Sequence, residues 1–305
     1  MSTPTPSAPD ERAGAVIHDL GYRGYDGPRL GETAVARALF TTGLRNCFGL
    51  GRSGRSKILP MVLLGLILLP ALILVGILVQ GRQLLHLDDQ IVPYTTYPLT
   101  TQLLVSVFVA AQAPALISRD LRFGTITLYL ARPIRRTTYV LVRLASLTGA
   151  TFVLVGLPLL LMYAGGLLAD LPPGRETGRI LVALAGAMLL AACLAGPAAV
   201  VSALTTRRGL AVAGVIVILL VSYTAVAIIQ GIATDTQHEL VGQIAGMFSP
   251  YTLVNGLEHV VFDTKAATPT PPEGAGLGAA YLGVAVLTVL GSVGAMLWRY
   301  REVSS

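Results

Sequence analysis

Six stretches of the chain run for 19 to 25 residues without a single Asp, Glu, Lys, Arg or His: 58–79, 99–117, 144–168, 180–204, 210–233 and 277–298. About 20 apolar residues are needed to cross the hydrocarbon of a bilayer, so each stretch predicts a transmembrane helix. Their interiors are rich in Leu, Val, Ala and Gly, the composition that lets helices pack closely in lipid. The third is long enough to tilt or kink near Pro158. Just before the first span, residues 33–48 follow a different rhythm. Ala36, Leu39, Phe40, Gly43, Leu44 and Cys47 recur at helical spacing, with Arg37, Thr41 and Arg45 on the opposite face. That pattern predicts an amphipathic helix lying in the membrane interface. Residues 1–32 are rich in Pro, Gly and Ser, have no apolar period, and read as a disordered cytoplasmic tail. They do not read as a signal peptide, because the first long apolar run begins only near Ile58.

Composition agrees with the pattern. Of 305 residues 53% are hydrophobic and only 12% charged, about half the roughly 25% usual in soluble domains. Mean hydropathy is +0.70. These values exclude a soluble cytoplasmic enzyme, and two cysteines, Cys47 and Cys193, exclude a disulfide scaffold. A net charge of +6 suggests nucleic acid only while its distribution is ignored. Of 22 basic residues, 18 fall before span 1, between spans 2 and 3, between spans 4 and 5, or after span 6. The alternate loops hold only Arg82, Arg175, Arg179 and Lys265. The positive-inside bias then puts both termini in the cytoplasm. Acidic residues lean the other way, with 9 of 16 in the outer loops, Asp88, Asp89, Asp235, Glu239 and Asp263 among them. The expected organisation is a tail at 1–32, an interface helix with basic linker at 33–57, and an all-α six-span domain at 58–305. A cytoplasmic loop at 118–139 and an outer loop at 234–276 interrupt that domain.

The cytoplasmic loop carries an ordered set of residues: Asp120, Gly124, Thr125, Leu128, Leu130, Arg132, Pro133, Arg135, Arg136 and then Arg143. Pro133 ends any helix at Arg132 and leaves a basic cluster facing the cytoplasm. Charge alone makes this loop a topological anchor. Its order resembles the ABC-2 type permeases, the membrane subunits of one class of ATP-binding-cassette exporters. In that family an acidic residue is followed by a Gly-Thr pair, aliphatics, a Pro beside polar and basic residues, and a basic residue further on. The family usually has Glu in place of Asp120, Lys in place of Arg143, and Ser or Thr near Arg135. The resemblance implies that this loop is the coupling helix that docks on a nucleotide-binding subunit. It extends over the chain from Thr33 onward and includes the interface helix, six spans and short outer helices between the last two. Residues 247–262, with Ser249-Pro250-Tyr251 followed by an apolar run too short to span, suit such helices.

Residues 49–56 (GLGRSGRS) imitate a phosphate-binding loop with Arg55 in place of its Lys. A true loop of that kind follows a buried strand, whereas this one joins an amphipathic helix to a span and reads as a basic linker near anionic lipid. Ala183, Ala187, Ala191, Ala195 and Ala199 form a small-residue ridge suited to close helix packing. His18, His86, His238 and His259 all lie outside the spans, and His238, Glu239, Glu258, His259 and Asp263 lack metal-ligand spacing. Ion-coupled carriers generally need intramembrane carboxylates or His, and the spans contain none, so energy is expected from a partner.

The resulting expectation is a permease subunit of an ABC transporter in the inner (cytoplasmic) membrane. It would have no catalytic, metal or cofactor site of its own, and ATP and Mg would be bound by two partner ATPase subunits. A second permease copy or a related chain completes the unit, lipid surrounds it, and nucleic acid is not a partner. Gln102, Ser106, Gln112, Ser222, Tyr223 and Thr224 are polar and uncharged, and would suit a path for exporting an apolar or amphipathic substrate. The alternative is a membrane-embedded accessory or assembly protein without a transport path, with an ion-coupled carrier third.

Overall fold

The computed structural model describes residues 27, 31–51, 54–85, 89–118, 134–205 and 207–302. Among these residues every regular element is helical. Most of the 1–32 tail and residues 119–133 of the basic loop lie outside them. Helix α1, Glu32–Cys47, falls one residue from the range its apolar repeat predicts. Leu39, Gly43 and Cys47 are buried, while Arg37, Thr41 and Arg45 face out. The buried stripe packs on α5, Arg136–Leu168. Gly43 marks the closest approach: a Cβ there would collide with Ser146, whose hydroxyl donates to the Phe40 carbonyl at 3.3 Å. Of the segment 49–56 that imitates a phosphate loop, residues 49–51 form a turn directly after helix α1 and residues 54–56 already belong to α2, with no strand before it among the described residues.

Among the described residues five helices are long and apolar enough to cross a membrane: α2 (Gly54–Leu85), α5, α6 (Pro173–Leu204), α7 (Arg208–Asp235) and α10 (Gly274–Glu302). Even α7, with 28 residues, extends about 42 Å against roughly 30 Å of hydrocarbon. Pro60 and Pro70 lie within α2, and Pro158 within an unbroken α5. α5 and α6 are the buried pair and pack most extensively on each other. The alanine ridge explains part of this, since Ala183, Ala187, Ala191, Ala195 and Ala199 are all at most 2% exposed. By contrast α2, α7 and α10 turn aliphatic side chains outward, among them Leu69, Leu72, Val217, Ile228 and Leu287, each more than half exposed. An apolar belt of this extent belongs against lipid. The chain is a multi-pass membrane protein.

The second expected span, 99–117, is divided. A one-turn helix α3 (Tyr97–Thr100) is followed by α4 (Gln102–Leu116), 15 residues or about 22 Å long. Pro98 sits in the first turn of α3, and Thr101 adopts φ −104°, ψ 9° between the two. The break lies within the bundle, because Tyr97 donates to the Ile67 carbonyl in the middle of α2 at 2.5 Å.

Contacts define two ends. At one, Arg82 donates to the Asp170 carbonyl at 3.4 Å, and residues 89–94 meet the start of α6. At the other, Ser118 donates to the Ser202 carbonyl at 2.5 Å, Arg299 to the Ala203 carbonyl at 3.4 Å, and the rings of Tyr139 and Tyr300 lie 5.9 Å apart. The segment expected as an outer loop folds as α8 (Glu239–Ala245), a 3-10 turn (Gly246–Phe248) and α9 (Pro250–Phe262). These are short helices that dip back into the bundle. Tyr281 of α10 donates to the Gln243 carbonyl at 2.5 Å, and Tyr251 reaches the Gln102 carbonyl at 3.0 Å.

Candidate functional site

Of the residues assigned to coupling, Asp120, Gly124, Thr125, Arg132 and Pro133 lie outside the described residues. Arg135 and Arg136 are described, and they begin α5. Helix α5 has no capping side chain of its own. Glu32, from the first turn of α1, supplies one. Its carboxylate accepts from the Thr138 hydroxyl at 2.5 Å and from the Arg135 backbone N–H at 3.1 Å, and the Arg135 guanidinium lies 3.7 Å away. The hydrogen bonds from Thr138 and the Arg135 backbone hold the Glu32 carboxyl below the usual carboxylate range against the opposing effect of burial, and the Arg135 charge adds to them. A carboxylate at a helix N-terminus also complements the helix dipole. The amphipathic helix and the exit of the basic loop are therefore one mechanical unit. One turn or so further along, Arg143 is 4% exposed, with its guanidinium 5.3 Å from the Tyr139 ring centre and its Nε donating to the Tyr139 hydroxyl at 3.3 Å.

The candidate path residues divide. Gln102, Ser106 and Tyr223 come together around Tyr251, which the sequence marks only as part of Ser249-Pro250-Tyr251 and not as a path residue. Ser106 Oγ lies 2.9 Å from the Tyr251 hydroxyl, and the Tyr223 ring meets the Tyr251 ring edge-on at 6.2 Å. Gln102 Oε1 is buried there without a hydrogen-bond partner. Gln112 is buried elsewhere on α4, about 15 Å further along the helix. Ser222 and Thr224 donate to their own helix, at the Leu219 and Leu220 carbonyls, and Thr224 faces outward.

A vestibule of about 530 Å³ opens at the other end of the bundle, among Asp89, Tyr94, Arg175, Arg179, Phe262 and Lys265. Glu176 forms its buried anchor with no exposed surface. The Tyr94 hydroxyl donates to Glu176 Oε2 at 2.7 Å, Gln90 Nε2 at 3.2 Å, and Arg179 pairs with Oε1 at 3.2 Å. Arg179 also pairs with Asp89, and Arg175 lies within 4 Å of both carboxylates. Burial works against ionisation of Asp89, but the Arg179 hydrogen bond, the Gln90 amide and the two arginine charges outweigh it and hold its carboxyl low. Burial and then the Glu176 carboxylate push the Tyr94 phenol up.

Glu258 corrects one expectation. The apolar windows of the six spans hold no ionisable residue, yet carboxylates are buried inside the bundle. The helices run beyond those windows, which brings Glu176 in, and α9 carries Glu258 in from outside them. Glu258 is 6% exposed and its carboxyl occupies the space left by the missing side chain of Gly186 on α6. Burial pushes this carboxyl up to about 9, opposed only by a hydrogen bond from Asn255. Asn255 also donates to the Thr95 carbonyl at 3.4 Å and accepts from the Ala267 N–H at 3.0 Å. The sequence did hold a signal, a lone carboxyl inside the 13-residue apolar helix 250–262. His259 faces away, with Nδ1 2.7 Å from the Thr264 carbonyl, and no metal-grade cluster forms among the described residues.

No family model matches this chain, and no curated protein matches it.

Proposed function

We propose that the chain is the membrane-spanning subunit of an ATP-driven exporter of the ABC-2 kind, acting on an apolar or amphipathic substrate. In this reading α3 and α4, with the segment before them, complete a sixth crossing, and both termini face the cytoplasm of the cell that holds the protein in its inner membrane. α1 lies in the interface. Two such subunits, identical or related, carry two ATPase subunits that bind ATP and Mg, and this chain performs no catalysis. The observation that carries the reading is the Glu32 clamp. A basic loop that docks on an ATPase needs a rigid route into the membrane, and Glu32 ties the exit of that loop, at Arg135 and Thr138, to α1. α5 then continues from Arg136 into the most buried part of the bundle. A push on the loop would therefore move α1 and α5 together. The exposed position of Thr224 on the outward face of α7 favours a path between two subunits over one through a single chain.

The test is reconstitution of the full chain with a Walker-motif ATPase from the same cell. The pair should co-purify, and the ATPase rate should change when the chain is present. Asp120→Arg and Gly124→Trp should leave the chain inserted but break both effects, with Arg23→Ala as the neutral control. Retention of the ATPase and of its altered rate in both loop variants would overturn the coupling role and favour a plain topological anchor.

A further inference from the structure

The vestibule does not end at its visible floor. Thr95 lines both the vestibule and a second, small cavity of about 10 Å³, at the lower limit for one water molecule. That cavity lies between α6 and α9, bounded by Gly186, Ala187, Leu190, Tyr251, Asn255 and Glu258. Val182 and Phe262 line the vestibule one helical turn above Gly186 and Glu258, so about 5.4 Å along the groove separates the two spaces.

We propose that Glu258 is a proton-binding site reached from the vestibule, and that losing its proton releases α9 from the Gly186 notch of α6. The geometry makes the two events one. As a neutral acid, Glu258 fits a notch whose walls are Ala187, Leu190 and Val254, with Asn255 as its polar neighbour. As a carboxylate in the same place it would be a buried charge with no cation to offset it. Among the described residues the surrounding groups offer no such cation. On α9 itself His259 is engaged with Thr264, and Asp263 is exposed beyond the helix end. On α6 the nearest charges are Arg179 and Glu176, about two turns away in the vestibule and paired with each other and with Asp89. Before and within α3, Tyr94 is bonded to Glu176 and Tyr97 to Ile67. Tyr281 of α10 is bonded to Gln243, Tyr223 of α7 packs on Tyr251, Glu239 of α8 is exposed, and Lys265 is exposed at the vestibule rim. Ionisation passes the proton to vestibule water, and the carboxylate must follow it toward that water. α9 moves with it, because the notch admits only the neutral group. This site stands apart from the exporter reading and would operate whether or not an ATPase binds the loop.

The native thiol of Cys193 reports the movement. It is fully buried on α6 against Leu253 and Leu257 of α9 and Tyr281 of α10. In full-length protein with Cys47→Ala, infrared titration from pH 5 to 10 should show a protonated-carboxyl band at neutral pH that disappears in alkali and is absent in Glu258→Gln. Maleimide modification of Cys193 should run at equal rates in the parent and in Glu258→Gln at pH 6, and at least tenfold faster in the parent at pH 9.5. Comparison at matched pH removes the intrinsic pH dependence of the thiol. Should Glu258→Gln not fold, Gly186→Ala serves instead, and its carboxyl band should vanish at lower pH because the notch is closed. Absence of a band assignable to Glu258 at pH 7 overturns the site. A rate ratio that is the same at both pH values overturns the release.

Discussion

Gly186→Ala tests how α9 is seated. A methyl at this position would stand where the Glu258 carboxyl now lies, so either the carboxyl swings out or α6 and α9 separate. Overpacking of this kind costs about 1–3 kcal/mol, and losing the Asn255 hydrogen bond adds about 1 kcal/mol. Replacing a helical Gly by Ala returns about 1 kcal/mol of helix propensity. The expected net loss is about 1–3 kcal/mol. Glu258→Ala alone leaves a hole beside Gly186, but in the double variant the new methyl enters the vacated space. The two changes should therefore couple favourably by about 1–3 kcal/mol. Unfolding of the full chain in mixed micelles by added SDS, followed by far-UV circular dichroism for all four proteins, measures this. Strict additivity, or a Gly186→Ala protein as stable as its parent, would mean that the carboxyl does not occupy the notch.

Two more expectations follow from the same description. The folded state holds the Glu258 proton up to about pH 9, whereas the unfolded chain releases it near 4.5, so the contribution of this group to stability is full below 4.5 and is lost as pH rises toward 9. The slope contributed by this group is at most about 1.4 kcal/mol per pH unit, and pH-dependent melting of Glu258→Gln should lose it. Single cysteines at Asp263 and Arg207, both exposed, should label from outside and only after permeabilisation, respectively. The native Cys47 and Cys193 are buried and give little background. Outside labelling at Arg207 would refute the six-crossing topology.

What the sequence carried was local periodicity. The α1 stripe and the alanine ridge announce themselves in local spacing, and the structure has both; a short helix within 247–262 was expected from the resemblance and is present, whereas the helix at Glu239–Ala245 was not foreseen. What it hid were partnerships across distance. Glu32 meets Thr138 across 106 residues, and Ser106 meets Tyr251 across 145. Glu258 reads as an outer-loop carboxylate until Gly186 is seen to make room for it. Hydropathy windows also stop at the first charge, whereas helices continue as long as their backbone bonds and end contacts hold. Arg143 and Glu176 thus end up buried beside the apolar windows that appeared to exclude them. The break at Thr101 was masked by an apolar run that hydropathy reads as continuous.

The Glu32 clamp also sets a schedule for synthesis. Thr138 leaves the ribosome 106 residues after Glu32, about 5–20 s later at ordinary elongation rates. During that interval α5 does not yet exist, and Leu39, Phe40 and Leu44 have no protein surface to cover them. In the proposed arrangement the bilayer surface is the apolar phase beside the nascent α1. In the proposed interfacial placement of α1, its amphipathic stripe would rest on lipid first and only later become a seam with α5. A variant of α1 that still fits α5 but no longer holds to lipid would arrive at its docking site late, after the bundle has begun to close without it.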